Sequence, residues 1–256
     1  MSNSHIKAVI FDLDGVITKT ALVHSAAWKA MFDEYLKLRE QRDQEPFQEF
    51  SYEKDYLQYV DGKPRYKGVQ SFLESRGIQI PFGDPDDSPD KETVCGLGNR
   101  KNIKFRDVLE ADGVEVYSGT LALIKDLKVH DIRIGVASSS KNCQFVLESA
   151  ELEHFFETRV DGVVSHELGL KGKPEGDIFV KAAENLDVDP KDSVVIEDAV
   201  SGVQAGINGG FGLVVGVARE GNAGELMKNG AHIVVENFEG VKLKELNEWF
   251  VQMNSQ

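Results

Sequence analysis

The apolar positions of this chain follow two different periods. At the N-terminus, Lys7-Ala-Val-Ile-Phe11 is a short unbroken apolar run closed by DLDG, which predicts a buried strand followed by a sharp loop. From Ala21 to about Gly113 the period becomes helical. ALVHSAAWKAMFDEYLKL and Lys67–Arg76 carry apolar residues at helix spacing, the second ending at Gly77, and strong strand patterns are missing. Ile78–Glu92, rich in Pro, Gly and Asp, reads as a loop, and polar Arg39–Glu49 as a solvated helix or connection. Beyond Gly113, β-branched runs at Ile132–Ala137, Val160–Val164, Val194–Ile196 and Leu213–Val217 alternate with helical patterns. Those patterns are LALIKDLK, NCQFVLESAEL, DIFVKAAENL and AVSGVQAGINGG, and Ile233–Val235 fits a last edge strand. Alternating strand and helix predicts a parallel sheet covered on both faces, with near-continuous apolar strands. The fold expected is α/β: a doubly wound, Rossmann-like parallel sheet interrupted early by a small helical cap domain. The core would comprise residues 1–20 and 113–256, the cap 21–112.

Composition narrows the function classes. With 256 residues, the chain is long enough for one large domain or one domain with an insert. No apolar run is bilayer-length, and MSNSHIKAVIF does not read as a signal peptide. The two cysteines, Cys95 and Cys143, have neither a disulfide framework nor a metal-ligand spacing, which suits a cytoplasmic setting. A net charge of −14 argues against nonspecific binding to nucleic acid or to anionic membrane. It would also repel a phosphorylated metabolite, so an anionic substrate requires a local cluster of cations or backbone N–H groups.

Open α/β sheets bind ligands at the carboxyl ends of their strands, and each predicted strand end carries polar residues there. After the first come Asp12 and Asp14, two carboxylates leaving a strand together; a polar turn or a calcium-loop fragment is the plainer reading, but the later calcium-ligating positions are not at the right spacing. After the second come Ser138, Ser139, Ser140, Lys141 and Asn142, opening a helix, which is either an N-cap or an anion site. Lys141 would put positive charge in the first turn, which the helix dipole disfavours unless an anion sits there. After the third, beyond a loop, comes Lys173 before Pro174, which alone would pass for a surface residue. After the fourth come Glu197 and Asp198, either acidic residues at a helix start or a pair that needs a cation to offset their repulsion. The bland explanation must hold four times over, at four places the topology brings to one crevice.

In combination and in this order, DLDGV, Ser138, Lys173 and Glu197-Asp198 resemble the haloacid dehalogenase superfamily, over nearly the whole chain. The resemblance implies Asp12 as nucleophile, Asp14 as general acid/base and backbone metal ligand, Ser138 and Lys173 as phosphate ligands, and Asp198 with Glu197 holding Mg²⁺. A Mg²⁺ ion and a lysine would neutralise the repulsion between a carboxylate and a phosphoryl group. The second Asp looks like a phosphotransferase rather than a dehalogenase. DLDGVIT, His24 with Trp28, ASSSKN and Arg100-Lys101-Asn102 are closest to the β-phosphoglucomutase-like branch. That branch implies a cap that closes over the core, with His24 orienting the hinge and Asp14 and with Lys101 meeting substrate. Asp61–Arg65 (DGKPR) adds Lys63 and Arg65 and resembles a motif in a hydrolase branch. Lys19 stands where the family usually has Asp, and the insert is longer than in short mutases.

Read without the family, His24 is a packed helix histidine, and Lys63, Arg65, Arg100 and Lys101 are either solvated surface charge or basic residues flanking a cleft. Cys95 and Cys143 are structural, and Gly96–Asn99 (GLGN) is not a dinucleotide fingerprint because no strand precedes it. The reading that follows is a monomeric, Mg²⁺-dependent enzyme converting β-glucose 1-phosphate to glucose 6-phosphate through an aspartyl-phosphate. A sugar-phosphate phosphatase with the same residues is the alternative, and a non-catalytic binding module on this fold is the alternative of another class.

Overall fold

The computed structural model describes residues 6–219 and 221–254. It divides into two compact units, one running to Lys19 and resuming at Val114, the other Thr20–Gly113. The first begins with strand β1 (Ala8–Phe11), in which every residue is buried. The second contains helices α1 (Thr20–Asp43), α2 (Arg65–Ser75) and α3 (Val94–Asp112). The first then continues through α4 (Ser118–Val129), β2 (Arg133–Ala137), α5 (Cys143–Ser149), β3 (Thr158–Val160) and α6 (Gly162–Glu167). It ends with α7 (Asp177–Asn185), β4 (Ser193–Glu197), α8 (Val200–Asn208), β5 (Leu213–Val217), α9 (Ala223–Lys228), β6 (Ile233–Val235) and α10 (Leu243–Asn254).

The strands form one parallel six-stranded sheet in the order β3-β2-β1-β4-β5-β6. Central β1 is paired on both edges, and all of its side chains, which alternate between the two faces, are buried. Ala8 and Ile10 pack with Phe179, Ala182, Ala183 and Val203 of α7 and α8. The opposite face is covered by α4 against β2 and by α10 against β5, with Leu123, Leu127, Leu246 and Phe250 buried. Each such side chain contributes about 1.5–3 kcal/mol on burial. The strand order reverses direction between β1 and β4, the switch point where ligands bind beyond the strands' carboxyl ends.

Several local expectations are corrected. The predicted strand Val160–Val164 stops at Val160, because the buried Asp161 carboxylate accepts from the N–H groups of Val163 (2.9 Å) and Val164 (3.0 Å) and caps α6. Helix α5 begins at Cys143, so Lys141 precedes the helix rather than sitting in its first turn. It ends at Ser149, short of Leu152, because Glu151 takes a φ of +56°. The stretch Arg39–Glu49 divides, helical to Asp43 and irregular beyond.

In the helical unit the core is aromatic. Phe32 lies 4.1 Å from Phe72, 5.1 Å from Phe50 and 5.4 Å from Trp28, ring centroid to centroid. Tyr52–Val60 forms a wide helical segment that closes with Asp61 N–H donating to Tyr56 O (2.9 Å). Helix α3 starts on Thr93, whose hydroxyl accepts from Gly96 N–H (2.9 Å), and ends at Gly113, φ +77°. Gly96 and Gly98 do not break it: a Cβ at Gly96 would lie 2.3 Å from Lys91 O, and one at Gly98 would lie 2.8 Å from the Tyr66 ring.

Candidate active site

The sheet register builds the site. Phe11 is level with Val136 on one side and Ile196 on the other, so Asp12 leaves β1 beside Glu197, the last residue of β4. Asp12 N–H donates to Ile196 O (2.9 Å) and fixes that position. Beyond Asp12 the chain folds on itself, with Gly15 N–H donating to Thr18 O (2.8 Å) and Thr18 N–H to Leu13 O (3.0 Å). Gly15 adopts φ +85° with the Asp198 carboxylate against its α-carbon; a Cβ there would sit 1.7 Å from Asp198 Oδ2. The turn therefore requires glycine on two counts.

Lys173 is a buried residue, not a surface one. Its ammonium donates to Asp12 Oδ1 (2.5 Å) and Glu197 Oε2 (2.8 Å), and all three residues are at most 5% exposed. Glu197 Oε1 accepts from Ala199 N–H (3.1 Å). Asp12, Glu197 and Asp198 each offer a carboxylate oxygen, and these oxygens lie within 4.8 Å of one another. Three carboxylates outnumber the one ammonium that Lys173 supplies, with Asp12 and Glu197 buried and Asp198 half-buried. The titration of the cluster expresses that imbalance. Burial and the Asp12 charge push Glu197 up to about 8. Burial, with the neighbouring Asp14 charge, also raises Asp12 despite Lys173. Burial works against the Lys173 ammonium, but the two carboxylates outweigh it and hold its pKa above the ordinary value. An all-oxygen donor set with excess negative charge suits a hard divalent cation.

Ser138 follows β2, next to β1 in the sheet. Its hydroxyl faces Asp14 Oδ2 (3.5 Å) and accepts from Ser140 N–H (3.1 Å). Asn142 N–H donates to Ser140 Oγ (3.1 Å), and Gly162 N–H to Ser140 O (3.2 Å). A Cβ at Gly162 would lie 2.7 Å from Ser139 O and 2.9 Å from Lys141 N, so this glycine lets the α6 start support the serine loop. Asp12, Asp14, Ser138, Lys173, Glu197 and Asp198 thus lie together at the switch point, with Ser139, Ser140, Lys141 and Asn142 in the loop beside them.

The remaining candidates belong to the helical unit. The buried Lys101 ammonium meets His24 Nδ1 and lies 4.9 Å from the Trp28 ring centroid and 4.7 Å from that of Phe105. His24 stacks on Phe105 at 3.9 Å. Arg65 instead donates to Asn102 Oδ1 (2.7 Å).

Two residues of the core unit escaped the reading of the sequence. Arg219, after β5, donates from Nε to Gly15 O (3.0 Å), and Asn222 donates from Nδ2 to Asp198 O (3.3 Å). Both follow a strand end in the sheet, which is the signal that could have found them.

A Rossmann-like sheet with a buried aspartate, a lysine and an acidic cation site at its switch point has the makings of a phosphotransferase or phosphatase. Known proteins agree. A family model described as haloacid dehalogenase-like hydrolase matches residues 6–210. The β-phosphoglucomutase of Mycobacterium bovis is 47% identical over 233 residues, covering 90% of this chain and 89% of that protein. That of Bacillus subtilis is 33% identical over 248 residues, 96% of each. The crystal structure of β-phosphoglucomutase from Clostridium difficile superposes with a TM-score of 0.77 at 25% identity, covering 98% of this chain and 100% of that one. The chain belongs to the haloacid dehalogenase-like hydrolase family, in its β-phosphoglucomutase-like branch.

Proposed function

We propose that this enzyme isomerises β-glucose 1-phosphate to glucose 6-phosphate, passing the phosphoryl group through an aspartyl-phosphate on Asp12 with the help of Mg²⁺. The observation that carries the chemistry is the buried Asp12 carboxylate, 2.5 Å from the Lys173 ammonium and beside the acidic trio. The sugar and the isomerisation rest on the 47% identity to a β-phosphoglucomutase across nearly the full length of both chains.

An Asp12 oxygen attacks phosphorus, and the bond from phosphorus to the sugar oxygen breaks. Asp14 delivers a proton to the departing oxygen, so the sugar leaves as an alcohol. In the return step the incoming hydroxyl gives its proton to Asp14 and attacks the same phosphorus, and Asp12 departs as a carboxylate. When the incoming hydroxyl belongs to the sugar, the phosphoryl group moves between positions; when it is water, phosphate is released. Ser138, held beside Asp14, and Lys173 bind the phosphoryl oxygens, and the serine loop with Lys141 and Asn142 supports them. Asp12 and Asp198, with the Asp14 carbonyl, would hold Mg²⁺, while Glu197, engaged at both oxygens, steadies Lys173. The bound ion would supply charge neutralisation at the transferring group. We assign selection of the sugar to the helical unit, whose candidate residues are His24, Lys101 and Arg65.

Asp12→Asn tests the assignment. Removing a covalent nucleophile lowers turnover at least about 10⁴-fold, and EDTA abolishes wild-type turnover until Mg²⁺ is returned. Retained turnover in Asp12→Asn, or full activity without divalent cation, contradicts the mechanism.

A further inference from the structure

The turn that follows β5 reaches two loops that carry the site's carboxylates. Arg219 approaches the Asp14–Val16 loop from behind. Nε donates to Gly15 O (3.0 Å), and Nη2 lies 3.4 Å from both Val16 O and Thr120 Oγ1. Thr120 in turn donates from its hydroxyl to Val16 O (2.8 Å). The guanidinium is fixed on its other sides by Glu236 O, which accepts from Nη1 (3.2 Å), and by the Tyr117 ring, whose centroid is 3.6 Å from Cζ. Three residues on, past Gly221 at φ +74°, Asn222 Nδ2 donates to Asp198 O (3.3 Å). Arg219 and Asn222 therefore fasten the loop after β1 and the loop after β4.

These two loops touch where tolerance is smallest. Gly15 and the Asp198 carboxylate are packed so closely that even a methyl group cannot come between them. Arg219 fixes the carbonyls of Gly15 and Val16, next along the chain from Asp14, while Asn222 fixes the backbone of Asp198. A guanidinium suits the first task because its planar fork can serve several carbonyls at once, which an ammonium cannot do with the same geometry.

We propose that Arg219, assisted by Asn222, is a positioning residue that sets the spacing between the Asp12–Asp14 loop and Asp198, and so the affinity for the divalent cation and the rate of phosphoryl transfer. The inference rests on the cation site and chemistry proposed above, and its test separates the two.

Mg²⁺ binding to purified wild type, Arg219→Ala, Arg219→Lys and Asn222→Ala is measured by isothermal titration calorimetry, with kcat, KM and thermal unfolding recorded in parallel. Arg219→Ala is expected to bind Mg²⁺ about two- to tenfold more weakly, the scale of a lost hydrogen bond. Its kcat should fall about 10- to 100-fold from misplacement, with KM for the sugar phosphate within about threefold of wild type. Arg219→Lys should fall between the two, and free guanidinium should restore part of the Arg219→Ala rate where methylammonium does not. Should Arg219→Ala fail to fold, Asn222→Ala carries the test by the same loss of Mg²⁺ affinity. Wild-type Mg²⁺ affinity and kcat in folded Arg219→Ala, or a loss confined to thermal stability, overturns the proposal and leaves the proposed function standing. Wild-type protein that binds no Mg²⁺ overturns the cation site and this proposal together. Wild type that binds Mg²⁺ but turns over no sugar phosphate removes the substrate reading, and the affinity comparison still decides the role of Arg219.

Discussion

Gly15 shows how little room the site leaves. Its positive φ costs an L-residue about 1–2 kcal/mol, and a Cβ would lie 1.7 Å from Asp198 Oδ2. Gly15→Ala must therefore displace Asp198 or the loop that carries Asp12 and Asp14. The expected outcome is a folded protein with turnover at least about 100-fold down and a higher Mg²⁺ requirement, read from initial rates against Mg²⁺ concentration. Wild-type Mg²⁺ dependence in this variant would contradict the placement of Asp198. The six core carboxylate, serine and lysine candidates were legible because each directly follows a strand or loop whose pattern is unambiguous. Arg219 also follows a strand end, but its role was not legible because its partner Gly15 lies 204 positions away in the chain. Lys173 read as a surface residue in isolation for the same reason: the two carboxylates that keep it charged while buried come from other strands.

At the scale of elements, the central strands were legible because both faces of each are buried, which forces continuous apolar runs. Val163 and Val164 misled, since a β-branched pair favours a strand until a buried Asp161 supplies the helix cap. Helix α3 falls in the stretch read as helical but was not delimited there, because Gly96 and Gly98 weaken its pattern and are explained only by the close approach of Lys91 and Tyr66. Helix α10 was not read. The loop before α3 is held by Asp87, whose carboxylate accepts from Lys91 Nζ (2.5 Å), Thr93 Oγ1 (2.7 Å) and Asp84 N–H (3.0 Å). The Lys91 hydrogen bond, then those of Thr93 and Asp84, lower its pKa to about 2. A depressed carboxylate pKa stabilises the fold fully above the unfolded value near 4, and that contribution is lost as pH falls through the folded value. Asp87→Asn should therefore lower the melting temperature at pH 7, with the difference from wild type shrinking between about pH 4 and pH 2. A difference that stays constant across this range would show that the charge of Asp87 is not what holds the loop.

For the whole molecule, the problem set by composition is a net charge of −14 on an enzyme whose proposed substrate is anionic. The core unit answers it locally, with Lys173 buried among the carboxylates and an oxygen cluster suited to a divalent cation. Binding of a cation by the folded state alone must raise its stability. At a hundredfold excess over Kd the gain is about 2.7 kcal/mol, so Mg²⁺ should raise the melting temperature of the EDTA-treated protein by about 5–10 °C. Asp198→Asn should lose most of that shift, and a full shift in this variant would place the cation elsewhere. Among the described residues no helix is long and apolar enough to cross a membrane.

The most direct test of the central claim is a ³¹P NMR time course of the protein with Mg²⁺, β-glucose 1-phosphate and a trace of glucose 1,6-bisphosphate. The account predicts glucose 6-phosphate as the product, with little inorganic phosphate, because the phospho-Asp12 group is returned to a sugar hydroxyl. Inorganic phosphate as the main product would make water the acceptor and the enzyme a phosphatase. No change in either signal would contradict the assignment of this substrate.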